Sequence, residues 1–287
     1  MNVIYKSPER ARSIQEHYRA LLQHWPVANH QRMLPTCEGE TFVVTCGAED
    51  GPDVVLLHGA MANTATWMRE VPAWAPDVRL HAVDLIGEPG RSAPSRPALA
   101  SDAHARWLDD VLDGLAVTRA VVVGLSLGGW IAVDYAIRRP QRVSSLVLMS
   151  PGGIGRQRNV LMWAVPLALL GSWGIRRSQH LVAGDLAIGA SPAAQDFETM
   201  TTLIWKHFRP RHDRLPLFSD DALGGLRMPV QVVIGGRDVM FDAHDLRRRV
   251  EAHVPRAEIR FLPAGRHYPG DQSREILAFL RRTAQVT

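Results

Sequence analysis

Seven short runs rich in Val, Ile and Leu recur along the chain, at 41–46, 54–57, 80–84, 120–124, 143–149, 230–234 and 258–262, and helical patterns separate most of them. The later runs are continuously apolar, which suits strands covered on both faces. When helices alternate with strands, each helix returns the chain to the edge it left, so neighbouring strands pair in parallel. The pattern predicts an α/β fold, a mostly parallel sheet with helices on both faces. Helices are expected after Pro8, where Ile14, Tyr18, Leu21, Leu22 and Trp25 line one stripe, and at 102–115, 127–139, 242–252 and 273–283.

The rhythm breaks once, across the almost eighty residues between a strand ending near 150 and one beginning near 229. Structureless loops of that length are uncommon. The interval is expected to be a helical cap inserted over the carboxyl ends of the strands, where open α/β sheets bind their ligands. The chain then divides into 1–150, an amino-terminal helix and the first part of the core; 151–227, the cap; and 228–287, the second part of the core.

Composition narrows the class. With 287 residues, 46% of them hydrophobic and 22% charged, the chain is globular and large enough to bury a substantial core. The net charge of +4 comes with acidic residues interleaved almost one for one, and Lys6 and Lys206 are the only lysines, so no basic block points to nucleic acid. Cys37 and Cys46 lack zinc-site company and are expected to be buried free thiols. The uncharged stretch 160–175 falls short of the roughly 20 residues that span a bilayer and contains Pro166, so no integral membrane span is expected. The amino terminus has no apolar signal-like run, and a cytoplasmic location is expected. A homo-oligomer is compatible with all of this.

Chemistry enters at Gly124-Leu125-Ser126-Leu127-Gly128, which directly follows Val121-Val122-Val123 and opens a helical pattern. A strand turning sharply into a helix leaves a serine hydroxyl standing above the sheet at a helix amino terminus, where developing negative charge is favoured. Ser126 is the expected nucleophile; the plain alternative is a helix-capping serine. A serine hydroxyl needs a base, and the base needs a group to fix its tautomer. His267, just beyond the last strand run, lies on the edge where Ser126 projects; His17, His24, His30, His104 and His180 fall in helices, loops or the cap and are expected at the surface. Asp238, just beyond the 230–234 run, is the expected acid, while Asp242 and Asp245 read as the cap and first turn of the next helix. Oxyanion donors are expected at the amides of Leu127 and Ala60, the latter in His58-Gly59-Ala60-Met61, with Met61 lining the pocket and His58 either shaping this loop or acting as a second base.

Together these features resemble the α/β-hydrolase superfamily: His58-Gly59 after an early strand, the elbow around Ser126, and the order Ser126, Asp238, His267. The loop Asp84-Leu85-Ile86-Gly87-Glu88-Pro89-Gly90-Arg91-Ser92 and the passage Arg138-Arg139-Pro140-Gln141-Arg142-Val143 are similar to family segments. The resemblance covers 35–150 and 228–285, and within the superfamily it is to serine carboxylesterases with an amino-terminal helix and a helical cap. It implies an eight-stranded sheet and a carboxylic ester hydrolase that uses no cofactor and no metal. Two departures stand out: Arg266 occupies a position that is commonly glycine, where it would either depress imidazolium formation or recognise an acidic group, and 60–63 lacks the glycine run of some lipases. Superfamily members that form alkyl-ester intermediates carry Asp at the elbow, which Ser126 argues against.

The cap hints at the substrate. Trp163, Trp173, Trp205, Phe197 and Phe208, with Leu161, Met162, Leu167, Leu169 and Leu170, make it apolar and aromatic; most would pack a cap core, and the rest, with Trp163 and Trp205 foremost, would face the pocket beside Arg266. The expected reaction is cleavage of a hydrophobic small-molecule ester through an acyl-enzyme. The alternatives are a biosynthetic enzyme doing thioester cleavage, cyclisation, transacylation or elimination in the same pocket, and a binding protein without chemistry.

Overall fold

The computed structural model describes residues 4–159, 166, 167, 169–183 and 192–284. The elements run α1 (Pro8–Gln23), β1 (Asn29–Leu34), β2 (Thr41–Gly47), β3 (Asp53–Leu57), α2 (Val71–Trp74), β4 (Arg79–Val83), α3 (Ala103–Gly114), β5 (Ala120–Leu125), α4 (Leu127–Arg138) and β6 (Val143–Met149). Within the expected interval lie α5 (Gly171–Ala183), α6 (Pro192–His207) and α7 (Asp220–Gly224), and after it come β7 (Val230–Gly235), α8 (Ala243–His253), β8 (Ala257–Leu262) and α9 (Ser273–Ala284). Among the described residues of the interval no strand forms, only helices and isolated bridges. No helix is long and apolar enough to cross a membrane among the described residues.

All eight strands join one sheet in the order β1-β2-β4-β3-β5-β6-β7-β8. From β4 to β8 every pairing is parallel, while β1 and β2 run antiparallel at one side. Strand periodicity puts alternate residues on opposite faces. Val55, Leu57 and Val122 join the core made with α3, α4 and α8; Val54, Leu56, Val121 and Val123 join the core made with α1 and α9. Both faces being buried explains why these runs carry no polar alternation.

The structure departs from the sequence reading in four places, one of them His104, expected at the surface but buried on α3. β1 was not expected: as an edge strand it exposes His30, Gln31 and Arg32, so it lacks the apolar signature of the inner strands. Trp25 is buried but lies past the end of α1. Cys46 is a buried thiol as expected, whereas Cys37 is exposed in the turn between β1 and β2.

One packing relation bears on the site. The apolar side of α6, Met200 and Ile204 with Phe208 just beyond, shares a core with Ile14, Tyr18, Leu21 and Leu22 of α1. His17 Nε2 also meets the Asp196 carbonyl at 2.8 Å. Much of the apolar content of α6 is therefore spent on the amino-terminal helix.

Candidate active site

Because β3, β5, β7 and β8 are parallel, the loops that follow them all emerge at one edge of the sheet. Those loops carry Ala60, Ser126, Asp238 and His267.

Ser126 sits between β5 and α4 with φ 54° and ψ −109°. A non-glycine residue held in so sparsely populated a region costs on the order of 1–3 kcal/mol, and such residues persist only where the surroundings enforce them. Here the enforcement is visible. The Ser126 N–H donates to the Met149 carbonyl at 3.0 Å, and the Ser126 carbonyl accepts from Trp130 and Gly152 N–H at 3.0 and 3.1 Å. The flanking glycines permit the turn: a Cβ on Gly128 would lie 2.1 Å from the Leu57 carbonyl oxygen, and one on Gly124 would lie 2.5 Å from that of Gly128. α4 is thereby pressed against the end of β3, which brings the loop after β3 to the nucleophile.

Asp238 and His267 form a buried pair, 4% and 6% exposed. His267 Nδ1 lies 2.8 Å from Asp238 Oδ2. The other carboxylate oxygen accepts the N–H groups of Met240 and Phe241 at 2.6 and 3.1 Å, so both oxygens of Asp238 are satisfied. The acid and base loops are stitched together by Gly236 N–H to the Leu262 carbonyl and Arg237 N–H to the Gly265 carbonyl, each 2.8 Å. Phe241 packs against the imidazole, with ring centroids 5.3 Å apart. Asp242 accepts from the Asp245 N–H and caps α8, in keeping with its sequence position.

The loop after β3 is held from one side. His58 donates from Nδ1 to the Gly59 carbonyl at 2.8 Å and accepts the Leu85 N–H on Nε2 at 2.9 Å; burial pushes its pKa down to about 4, so it is a neutral brace with both nitrogens engaged. Asp84 accepts from the N–H groups of Thr64 and Arg91 and from the Tyr18 hydroxyl, although burial pushes its pKa up to about 6. Among the described residues no hydrogen-bond acceptor faces the amides of Ala60 and Leu127. Met61 is half-buried, has φ 57°, and donates its N–H to Glu88 Oε2 at 2.7 Å. A left-handed conformation costs a non-glycine residue roughly 1–2 kcal/mol, which a hydrogen bond to a buried carboxyl is of the right size to offset.

The remaining expected pocket residues are spread out. Arg266 reaches toward α5: its guanidinium donates to the Leu181 carbonyl at 3.3 Å and meets His180 Nε2 at 3.4 Å. Tyr268 N–H donates to the Val182 carbonyl at 3.2 Å, so both neighbours of His267 are tied to the last turn of α5. Trp205 is half-buried on α6, Phe208 is fully buried against α1, and Trp163, with Leu161 and Met162, lies outside the described residues. Leu169 and Trp173 are 83% and 58% exposed.

Two carboxyls buried against the loops that carry Ala60 and His267 were missed by the sequence reading. Glu88 had one available signal, an acidic residue inside the tight Gly87-Glu88-Pro89-Gly90 loop. Glu70 had none. Its Oε1 accepts the Tyr268 hydroxyl at 2.6 Å, while Oε2 has no partner and burial pushes the pKa up to about 7.

Comparison with known proteins bears on the fold and the family. Residues 52–174 match the model of a family described as alpha/beta hydrolase fold. An uncharacterized carboxylesterase, nap, of Bacillus subtilis (strain 168) is 29% identical over 255 residues, spanning 87% of this chain and 84% of the relative. The crystal structure of naproxen esterase from Bacillus subtilis superposes with a TM-score of 0.83 at 27% identity, covering 96% of this chain and 99% of that one. A pimeloyl-[acyl-carrier protein] methyl ester esterase of Vibrio campbellii is 34% identical over 204 residues, 66% of this chain and 77% of the relative. With the eight-stranded sheet, the elbow and these likenesses in hand, the chain belongs to the α/β-hydrolase fold family.

Proposed function

We propose that this chain, a carboxylic ester hydrolase of the α/β-hydrolase fold, cleaves hydrophobic small-molecule esters through Ser126, His267 and Asp238. The observation that carries the reading is the buried His267–Asp238 pair on the same sheet edge as the strained Ser126. With Nδ1 turned to the carboxylate, His267 is left in the tautomer whose Nε2 accepts a proton. Ser126 Oγ attacks the ester carbonyl carbon as its proton passes to Nε2. The amides of Leu127 and Ala60 hold the oxyanion, the first at the amino terminus of α4 and the second in the loop beside it. The intermediate then collapses, His267 protonates the departing alkoxide, and an acyl-serine remains. Water activated by the same imidazole releases the acid and restores the serine.

The 151–227 interval serves in this reading as the cap over the pocket. Met61 and Trp205, both half-buried, are its apolar lining, and they favour an uncharged acyl or alcohol group. Arg266, engaged with the end of α5, orders the cap against the base loop.

Hydrolysis of short and long p-nitrophenyl esters by the native chain and by Ser126→Ala tests the proposal. Turnover is expected only in the native chain, with fluorophosphonate labelling confined to Ser126. Equal turnover by both proteins would overturn it. An intact, labelled serine with negligible turnover of every ester would favour a biosynthetic acyl transfer.

A further inference from the structure

Glu88 is 2% exposed, and a carboxylate is rarely buried this deeply without a specific task. It belongs to the loop after β4, yet its Oε2 reaches across to the Met61 N–H in the loop after β3. Burial pushes its pKa up to about 7, against the Met61 amide and the charges of Arg96 and Arg211, which pull it down. Joining the two loops would not by itself explain the residue. The Leu85 N–H to His58 Nε2 bond, the Thr64 N–H to Asp84 bond and the Asn63 side-chain N–H to Pro89 carbonyl bond already fasten the loop after β3 at its beginning and end. Glu88 acts on the stretch between those anchors, at the residue directly after Ala60.

We infer that Glu88 is a positioning residue for oxyanion binding: by accepting the Met61 N–H, its buried carboxylate fixes the turn that presents the Ala60 N–H to the reacting carbonyl. The inference rests on the acyl-transfer reading above. The Ala60–Met61 peptide plane can rotate only by changing ψ of Ala60 and φ of Met61, and φ of Met61 is held at 57°. Release of the Met61 N–H frees that plane and lets Met61 relax to an ordinary conformation, so the Ala60 Cα, and with it the preceding peptide that carries the Ala60 N–H, loses its fixed position. An oxyanion donor acts mainly in the transition state, so the loss should fall on kcat and not on KM.

Glu88→Met keeps the length of the side chain and removes the acceptor oxygen; Glu88→Gln keeps an acceptor oxygen and removes the charge. On p-nitrophenyl butyrate, Glu88→Met is expected to lower kcat about 10- to 100-fold, short of the roughly 10²–10³ lost with a whole donor, with KM within about twofold. Its affinity for a boronic acid that forms a tetrahedral serine adduct should fall by a similar factor. Glu88→Gln should recover most of both. Equal kcat for Glu88→Met and Glu88→Gln, or a loss confined to KM, would overturn the assignment. Should Glu88→Met not fold, a Glu88→Gln enzyme with a kcat more than tenfold below native overturns it and a near-native kcat upholds it. Ser126→Ala in the same assay separates two failures. Activity that survives in Ser126→Ala defeats the triad reading, whereas activity that needs Ser126 but ignores residue 88 defeats only this inference.

Discussion

Two histidine–aspartate pairs in this molecule share one spacing: His267 Nδ1 to Asp238 Oδ2 and His81 Nε2 to Asp53 Oδ1 are both 2.8 Å. His81 also has a hydroxyl on its other nitrogen, Thr45 Oγ1 at 3.0 Å, so alcohol, imidazole and carboxylate follow in series. Yet Thr45 lies within the ladder of β2, and Asp53 opens β3 at the opposite end from the elbow. The Thr45 backbone has no left-handed strain, and the fully buried imidazole is wedged among strands. Ser126, by contrast, stands on a strained turn at a helix amino terminus, with two unengaged amides nearby. A hydroxyl bonded in series to an imidazole and a carboxylate, as at Thr45, is therefore no sign of a nucleophile. The two places differ in the backbone that lifts Ser126 out of the sheet beside two amides without acceptors.

Parallel substitutions at the two sites sharpen the contrast. Ser126→Ala is expected to lower kcat on the order of 10⁶-fold, while Thr45→Val leaves kcat/KM within about twofold in the same ester assay. Asp238→Asn should lower kcat about 10⁴-fold through the wrong imidazole tautomer. Asp53→Asn should leave kcat unchanged and shift the unfolding midpoint by about 1 kcal/mol of stability, read by denaturant titration. A catalytic loss at Thr45 or Asp53 would erase the distinction.

The titrations of the two regions run in opposite directions. Beneath the catalytic loop, burial raises Glu70 from 4.5 to about 7, so its stabilising contribution is full below pH 4.5 and is lost as pH rises through 7. Across that window the native chain should lose on the order of 3 kcal/mol relative to Glu70→Gln in unfolding free energy. Burial lowers His81 below 6.5, outweighing the pull of Asp53, so the neutral ring stabilises the fold above pH 6.5 and that stability is lost as pH falls through the folded pKa. Relative to His81→Gln, the native chain should weaken on acidification, a smaller effect visible in thermal melts at pH 7 and pH 5. A pH-independent difference in either series would contradict the burial assigned to that group.

Most of the fold was legible because the inner strands are buried on both faces, which forces apolar runs such as Val121-Val122-Val123. β1 was hidden because only one residue of it is buried. The shared edge of Ser126, Asp238 and His267 was legible for a topological reason: in a parallel sheet, residues just past strand ends lie on one edge whatever their separation in sequence. Glu88 and Glu70 were not, since their roles arise from contacts with Met61 and Tyr268 that no local spacing encodes. The bonding of Arg266 to the end of α5 was hidden in the same way.

The amino-terminal helix joins two parts of the molecule that never touch through the sheet. On one flank α1 packs with Met200 and Ile204 of α6; on the other its Tyr18 hydroxyl supports Asp84, beneath the Thr64 amide. Truncation at residue 25 would spare all eight strands and Ser126, Asp238 and His267. It would still uncover the core around Val54, Leu56 and Val121 and strip a brace from α6 and from the loop after β3 at one stroke, so turnover and folding stability would fall together.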